Sequence, residues 1–229
     1  MVQGMRRNEL IRRYVLFFIS VVIVSGGIAS ITSGFIGSTP IASPNFVISL
    51  HSPLTLGMVT MLFNLLLVVL QVVMLGLSEV RKNLAELLQQ VPVCMVFAPS
   101  IDLWMLLLSP NAGEVRPYVI SWLLVGCGTV ALGLGTALEF TANVTMIPGE
   151  YFLKVLHRFV RRSFGFMRCC FDILLVLCAV VLSLVFTGFE EIEGVREGTL
   201  FAALFTGPLV RLFTPLVAPL DKVLVAGRA

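Results

Sequence analysis

The sequence predicts an all-α integral membrane protein whose six transmembrane helices form a 3+3 inverted repeat, with broken or re-entrant segments after helices 1 and 4. Three observations predict it. Of 229 residues, 58% are hydrophobic and 13% charged, and the mean hydropathy is +1.00, whereas soluble domains carry about 25% charged residues. Six stretches reach the roughly 20 predominantly apolar residues that a spanning helix needs. Residues 27–76 also align on residues 135–184 at a constant shift of 108, without a gap.

The spans are expected at about 14–36, 55–78, 91–109, 118–140, 170–188 and 199–219. The opening MVQGMRRNELIRRYVLFFISVVIV has the basic start of a signal peptide. Its apolar run is too long for such a leader and five spans follow, so it reads as an uncleaved first helix. Six spans place both termini on one side of the membrane, in a single membrane domain of residues 1–229. Thirteen of the sixteen Lys and Arg residues, among them Arg6, Arg7, Arg12, Arg13, Arg81, Lys82 and Lys222, then fall on that side. The opposite loops keep Arg116 and Arg196 beside Glu190, Glu191, Glu193 and Glu197. Short loops rich in Lys and Arg stay cytoplasmic, so the N- and C-termini are expected in the cytoplasm.

The repeat units run about 14–109 and 118–219. In the alignment Gly27 meets Gly135, Ala29 meets Ala137, Pro40 meets Pro148, Gly57 meets Gly165, Phe63 meets Phe171 and Asn64 meets Asp172, with 11 identities in the 50 pairs from residue 27 to residue 76. Shared Leu and Val are expected between any two apolar helices, so the weight rests on the Gly, Pro and Asn/Asp positions. Three spans per unit make the second unit enter the membrane upside down. Inverted repeats with interruptions at corresponding places point to a transporter site.

The interruptions are GFIGSTPIASPNF and TANVTMIPGEYF. Pro40, Pro44 and Pro148 remove backbone donors, and Gly37 and Gly149 relax the dihedrals, so neither segment can be an unbroken helix. Backbone of this kind is tolerated at membrane depth where it is buried in protein or lines a wet cavity. The expected substrate-binding set is therefore Ser38, Thr39, Pro40, Glu139, Asn143, Pro148 and Glu150. Glu139 and Asn143 share a face if the helix continues that far, and Glu150 returns toward them after the Pro148-Gly149 turn. The first half offers Ile31, Phe35 and Ala42 at the matching positions, so the carboxylates stand on one side only. Whether Glu139 lies in a site or at the inner surface is open at this stage.

Ionisable groups within spans are functional candidates with a partner to be named. Asp102 in the third span and Arg211 in the sixth are expected to meet as a coupling or gating pair, or as an ion pair that fixes the packing of the halves. Asp172 and its match Asn64 complete the coupling and gating candidates; the bland reading of Asp172 is a helix-start residue. The run KVLHRFVRRSFGFMR interleaves Lys154, Arg158, Arg161 and Arg162 with aromatic residues. Between two spans it reads as an interfacial helix on anionic lipid rather than a nucleic-acid surface.

The five cysteines show no ligand or disulfide spacing, so neither a metal nor another cofactor is expected. HExxH, GxSxG and GxxxxGK[ST] motifs are absent and both histidines lie outside the spans, which speaks against an intramembrane enzyme or an ATP-driven machine. Two functions stay open: a secondary transporter of a small solute, such as an organic ion coupled to protons or sodium, and a non-transporting accessory protein that binds lipid or a partner complex. A homo-oligomer is compatible with either.

The pieces GSTPIASPNFVISLHSPLTLG, QVPVCMVFAPSIDL, EFTANVTMIPGE, SFGFMRCCFD and GVREGTLFAAL, spread over nearly the whole chain, resemble the YczE/YyaS/AitT-type bacterial membrane proteins, a group related to the YitT proteins. The resemblance implies a bacterial inner-membrane protein of about this size and a transporter candidate, without a substrate to carry over. The positions matching the family's motifs are Pro40, Asp102, Glu139, Asn143, Pro148, Glu150, Asp172, Arg196 and Glu197. The family has Gly after Pro-Gly-Glu where this sequence has Tyr151.

Overall fold

A computed structural model describes residues 7–108, 117–160 and 164–225. Among the described residues eight helices follow in order: α1 (Arg7–Ser33), α2 (Ser43–Leu50), α3 (Leu56–Leu108), α4 (Tyr118–Ala142), α5 (Pro148–Phe159), α6 (Phe164–Phe186), α7 (Glu197–Val217) and α8 (Pro219–Val225). No strand occurs among the described residues. The long α3 is two spans joined at Gly76, whose φ of 69° and ψ of 163° are not helical. Six helices are thereby long and apolar enough to cross a membrane: α1, the two parts of α3 (Leu56–Gly76 and Glu79–Leu108), α4, α6 and α7. The third span is helical from Glu79, not from the expected 91, because KNLAELLQQ continues the helix with a polar composition that hydropathy overlooks.

Helices α1 and α4 form the centre, and residues without side chains let them approach. A Cβ on Gly27 would lie 2.8 Å from the Gly128 carbonyl oxygen, and one on Gly128 would lie 2.7 Å from that of Gly27. Around this contact Phe17, Val21, Val24, Ile28 and Ile31 of α1 pack with Val125 and Leu132 of α4 and with Val93, Phe97 and Ile101 of α3. Helix α7 packs on α4, and α2 and α5 lie against α3 and α6. Residues such as Leu62, Leu66, Val73, Leu177, Val181, Leu204 and Leu212 face outward, the pattern of helices whose solvent is lipid.

Both breaks have local causes. After α1, Phe35 at φ 56° and Gly37 at φ 132° turn the chain; a Cβ on Gly37 would fall 2.5 Å from Thr199 Oγ1, so both conformation and space demand glycine. Thr39 then accepts at its carbonyl from the amide and hydroxyl of Ser43, both at 2.8 Å, and α2 begins. After α4, Asn143 takes the left-handed conformation at φ 50° and closes the helix by donating its N–H to the Glu139 carbonyl. This is the residue type that most often replaces glycine there. Pro148 starts α5, where its missing N–H is no loss.

The central contact makes a prediction. Gly128→Ala should destabilise the protein by about 1–3 kcal/mol through overpacking. Gly126→Ala, half a turn away where a Cβ meets open space, should melt no lower than the wild type. Apparent melting midpoints in detergent check both.

Candidate functional site

The second break gathers the charged groups. Glu139, on the last turns of α4, is 1% exposed, and its Oε1 accepts the Ile147 N–H at 2.9 Å. Ile147 precedes a proline and is held extended at ψ 141°, as steric contact with the ring requires. It is also the N-cap of α5 and has no side-chain cap bond of its own; the carboxylate from the preceding helix satisfies the N-cap residue's own N–H. One turn into α5, both oxygens of Glu150 face Arg168 of α6, with Nη1 at 2.6 and 2.8 Å. Asp172, one turn further along α6, lies 3.9 Å from Arg168 Nε. Two carboxylates, Glu150 and Asp172, thus share a single guanidinium.

A second polar chain approaches the break from α3. Gln71 Nε2 donates to the Pro148 carbonyl at 3.0 Å, and Gln90 Nε2 donates to Gln71 Oε1 at 2.9 Å. Both side chains are fully buried. Tyr151 fills the space among Leu75, Leu87 and Val155. Burial, with the Glu86 carboxylate beside it, pushes its phenol well above the ordinary range.

The first break closes on neutral groups. Ser38 pairs with Thr32 through their hydroxyls at 3.0 Å, and its N–H donates to Thr199 Oγ1 at 3.0 Å. Thr39 and Pro40 are buried. The two breaks touch: a Cβ on Gly149 would lie 2.6 Å from Ile41 Cδ1.

Two expectations change. Asn143 does not share a face with Glu139, because α4 ends at Ala142 and the left-handed residue turns its side chain outward to an exposed position. Asp102 does not meet Arg211. Its carboxylate accepts from Thr55 Oγ1 at 2.6 Å and from the Gly57 N–H at 2.7 Å, so it caps the start of the neighbouring span. Gly57 is what lets the spans come so close, since a Cβ there would lie 2.3 Å from the Ala98 carbonyl. Arg211 is exposed on α7. Of the expected lipid-facing residues, Lys154 lies 3.7 Å from Glu86 and over the Tyr151 ring, Arg158 is exposed, and Arg161 and Arg162 lie outside the described residues.

Residues missed from sequence include Arg168, Gln71 and Gln90. Arg168 stands four before Asp172, the spacing of a helical ion pair, and that signal was available. The glutamines carried only the hint that amides are rare in spans. Arg13 is a further case: it is buried, with Nε 3.1 Å from Glu9, Nη1 on the Thr141 and Ala142 carbonyls and Nη2 2.7 Å from Asp221. No group of three or more His, Cys, Asp or Glu suited to a metal ion occurs among the described residues.

Residues 11–215 match a family of unknown function, DUF6198. The chain belongs to this family. It is similar to the uncharacterized protein YyaS of Bacillus subtilis (strain 168), 23% identical over 205 residues that cover 90% of this chain and 94% of that protein. The YyaS-type resemblance carried by the motifs is thereby borne out. No solved structure matches the chain.

The ion cluster of this DUF6198 member is open to a double-mutant cycle. Glu150→Ala and Arg168→Ala should each destabilise, and together they should do so by less than the sum. The expected coupling is about 0.5–3 kcal/mol, toward the low end because Arg168 is partly solvated. The corresponding cycle on Glu79 and Lys82, an exposed pair, should give a smaller coupling than the Glu150–Arg168 cycle; unfolding in detergent reads both.

Proposed function

We propose that the chain is a secondary transporter of a small organic ion in the bacterial cytoplasmic membrane, coupled to protons or sodium, with both termini in the cytoplasm. It is built as a 3+3 inverted repeat. One observation carries the reading: Ile41 and Gly149, which occupy the same position of the two repeat units, touch each other where the two breaks meet. Other related positions behave alike. Phe63 and Phe171 join one apolar cluster, and the approach of Gly27 to Leu132 is mirrored by that of Gly135 to Val24. A two-fold axis in the membrane plane accounts for all of these pairs, and broken helices crossing at such an axis are where this class of protein binds its cargo.

On this reading the backbone of residues 38–40 and Pro148 lines one wall. Glu139, Glu150, Asp172 and Arg168 supply charge from one half only, which suits a solute that is not itself symmetric. Asp102 caps the start of the neighbouring span.

A ligand that binds the folded state stabilises it by RT ln(1 + [L]/Kd), about 2.7 kcal/mol at a hundredfold excess over Kd. Melting of the purified chain should therefore rise with one class of metabolite, drug or ion in a thermal-shift screen at two pH values, and Glu139→Gln should lose that rise. Stabilisation by anionic lipid alone, with no response to any solute, would replace transport by the accessory role.

A further inference from the structure

Polar side chains on the first span of α3 form a stripe facing the breaks. Thr60, Asn64 and Gln71 are 4%, 3% and 0% exposed, and their spacing keeps them on one helical face. Each end of the stripe is engaged. Thr60 Oγ1 accepts from Asn45 Nδ2 of α2 at 3.4 Å. Gln71 is used at both its polar atoms: the Pro148 carbonyl can only accept, so Nε2 must donate to it, which leaves Oε1 to accept from Gln90.

Asn64 lies between them, and its buried Nδ2 has no partner among the described residues. An amide held this way in a membrane interior is expensive unless something arrives to use it. Its neighbour Phe63 packs in the cluster with Ile41, Phe152 and Phe171, so Asn64 stands at the level where the breaks meet. The matching position is instructive. Asp172 has Arg168 one turn back at 3.9 Å, whereas one turn back from Asn64 is Thr60, already held by Asn45. The second half supplies its own counter-group and the first half does not.

We infer that Asn64 binds the transported solute, its Nδ2 donating to a carbonyl or carboxylate oxygen, which makes the cargo a small organic compound bearing such an oxygen. This inference rests on the transport reading. It is tested on the full chain in detergent, by melting the wild type, Asn64→Leu, Gln71→Leu and Glu139→Gln alone and with acetate, acetamide, pyruvate or alanine. Tetramethylammonium, which has no acceptor, serves as control.

Without ligand, Asn64→Leu should melt at the wild-type temperature or up to about 2–4 °C above it, because an unsatisfied amide gives way to an apolar group. Gln71→Leu should melt lower, since it strips the Pro148 carbonyl of its donor. Stabilisation of the wild type by an acceptor-bearing compound should vanish in Asn64→Leu. Asn64→Leu melting as low as Gln71→Leu would overturn the inference, by showing an amide already satisfied within the fold. A compound that still stabilises Asn64→Leu but not Glu139→Gln, or stabilisation by tetramethylammonium alone, would also overturn it while leaving transport standing. No stabilisation by any solute in the wider screen would remove both.

Discussion

A peptide chain that leaves the helical conformation inside a bilayer must find every hydrogen bond within the protein, because lipid offers none. Both breaks of this fold find their hydrogen bonds within the chain. In the first break Thr39 serves the start of α2, the Ser38 amide goes to Thr199, and the Ile36 carbonyl accepts from the Gly198 N–H at 2.8 Å. In the second, Glu139 receives the Ile147 amide and Gln71 supplies the Pro148 carbonyl. The satisfying groups come from α3, α4 and α7, so the breaks tie distant parts of the chain to one another.

Such wiring needs helices that sit close and do not shift. Contact of backbone with backbone at Gly27 and Gly128 provides it, and Gly57 repeats the device where Asp102 reaches the start of the neighbouring span. In lipid the hydrophobic effect does not drive helices together, so small residues that allow close van der Waals packing take over that role. On the inverted-repeat reading proposed above, the two halves differ in chemistry rather than in architecture. One frame carries hydroxyls and amides, the other carboxylates and a guanidinium.

Much of this was legible in the amino-acid order. Apolar length locates all six spans, and proline with glycine locates both breaks, because these signals act locally. The third span began earlier than hydropathy indicated, since α3 runs into a polar stretch that is helical by propensity. Asp102 and Arg211 do not meet, because the carboxylate bonds the neighbour next to it in the hairpin, a contact that the composition of the third span alone does not announce. Asn143 carried a visible signal, as a left-handed helix end before a proline, but it was read for its side chain instead of its backbone. Gln71, Gln90 and Pro148 are far apart in sequence, and nothing in a single chain announces that three such residues meet.

Arg13 adds a consequence about time. Its guanidinium joins α1 to the end of α4 and to Asp221, which is 208 residues further along the chain. During synthesis the first helix therefore enters the membrane with a charge whose partners arrive in sequence. Glu9 is present one turn away from the beginning, the α4 carbonyls come next, and the carboxylate that completes the set is made only when α8 emerges. Closure of this end of the bundle thus waits until α8 has been made, and a chain arrested before α8 would carry α1 with that charge incompletely matched.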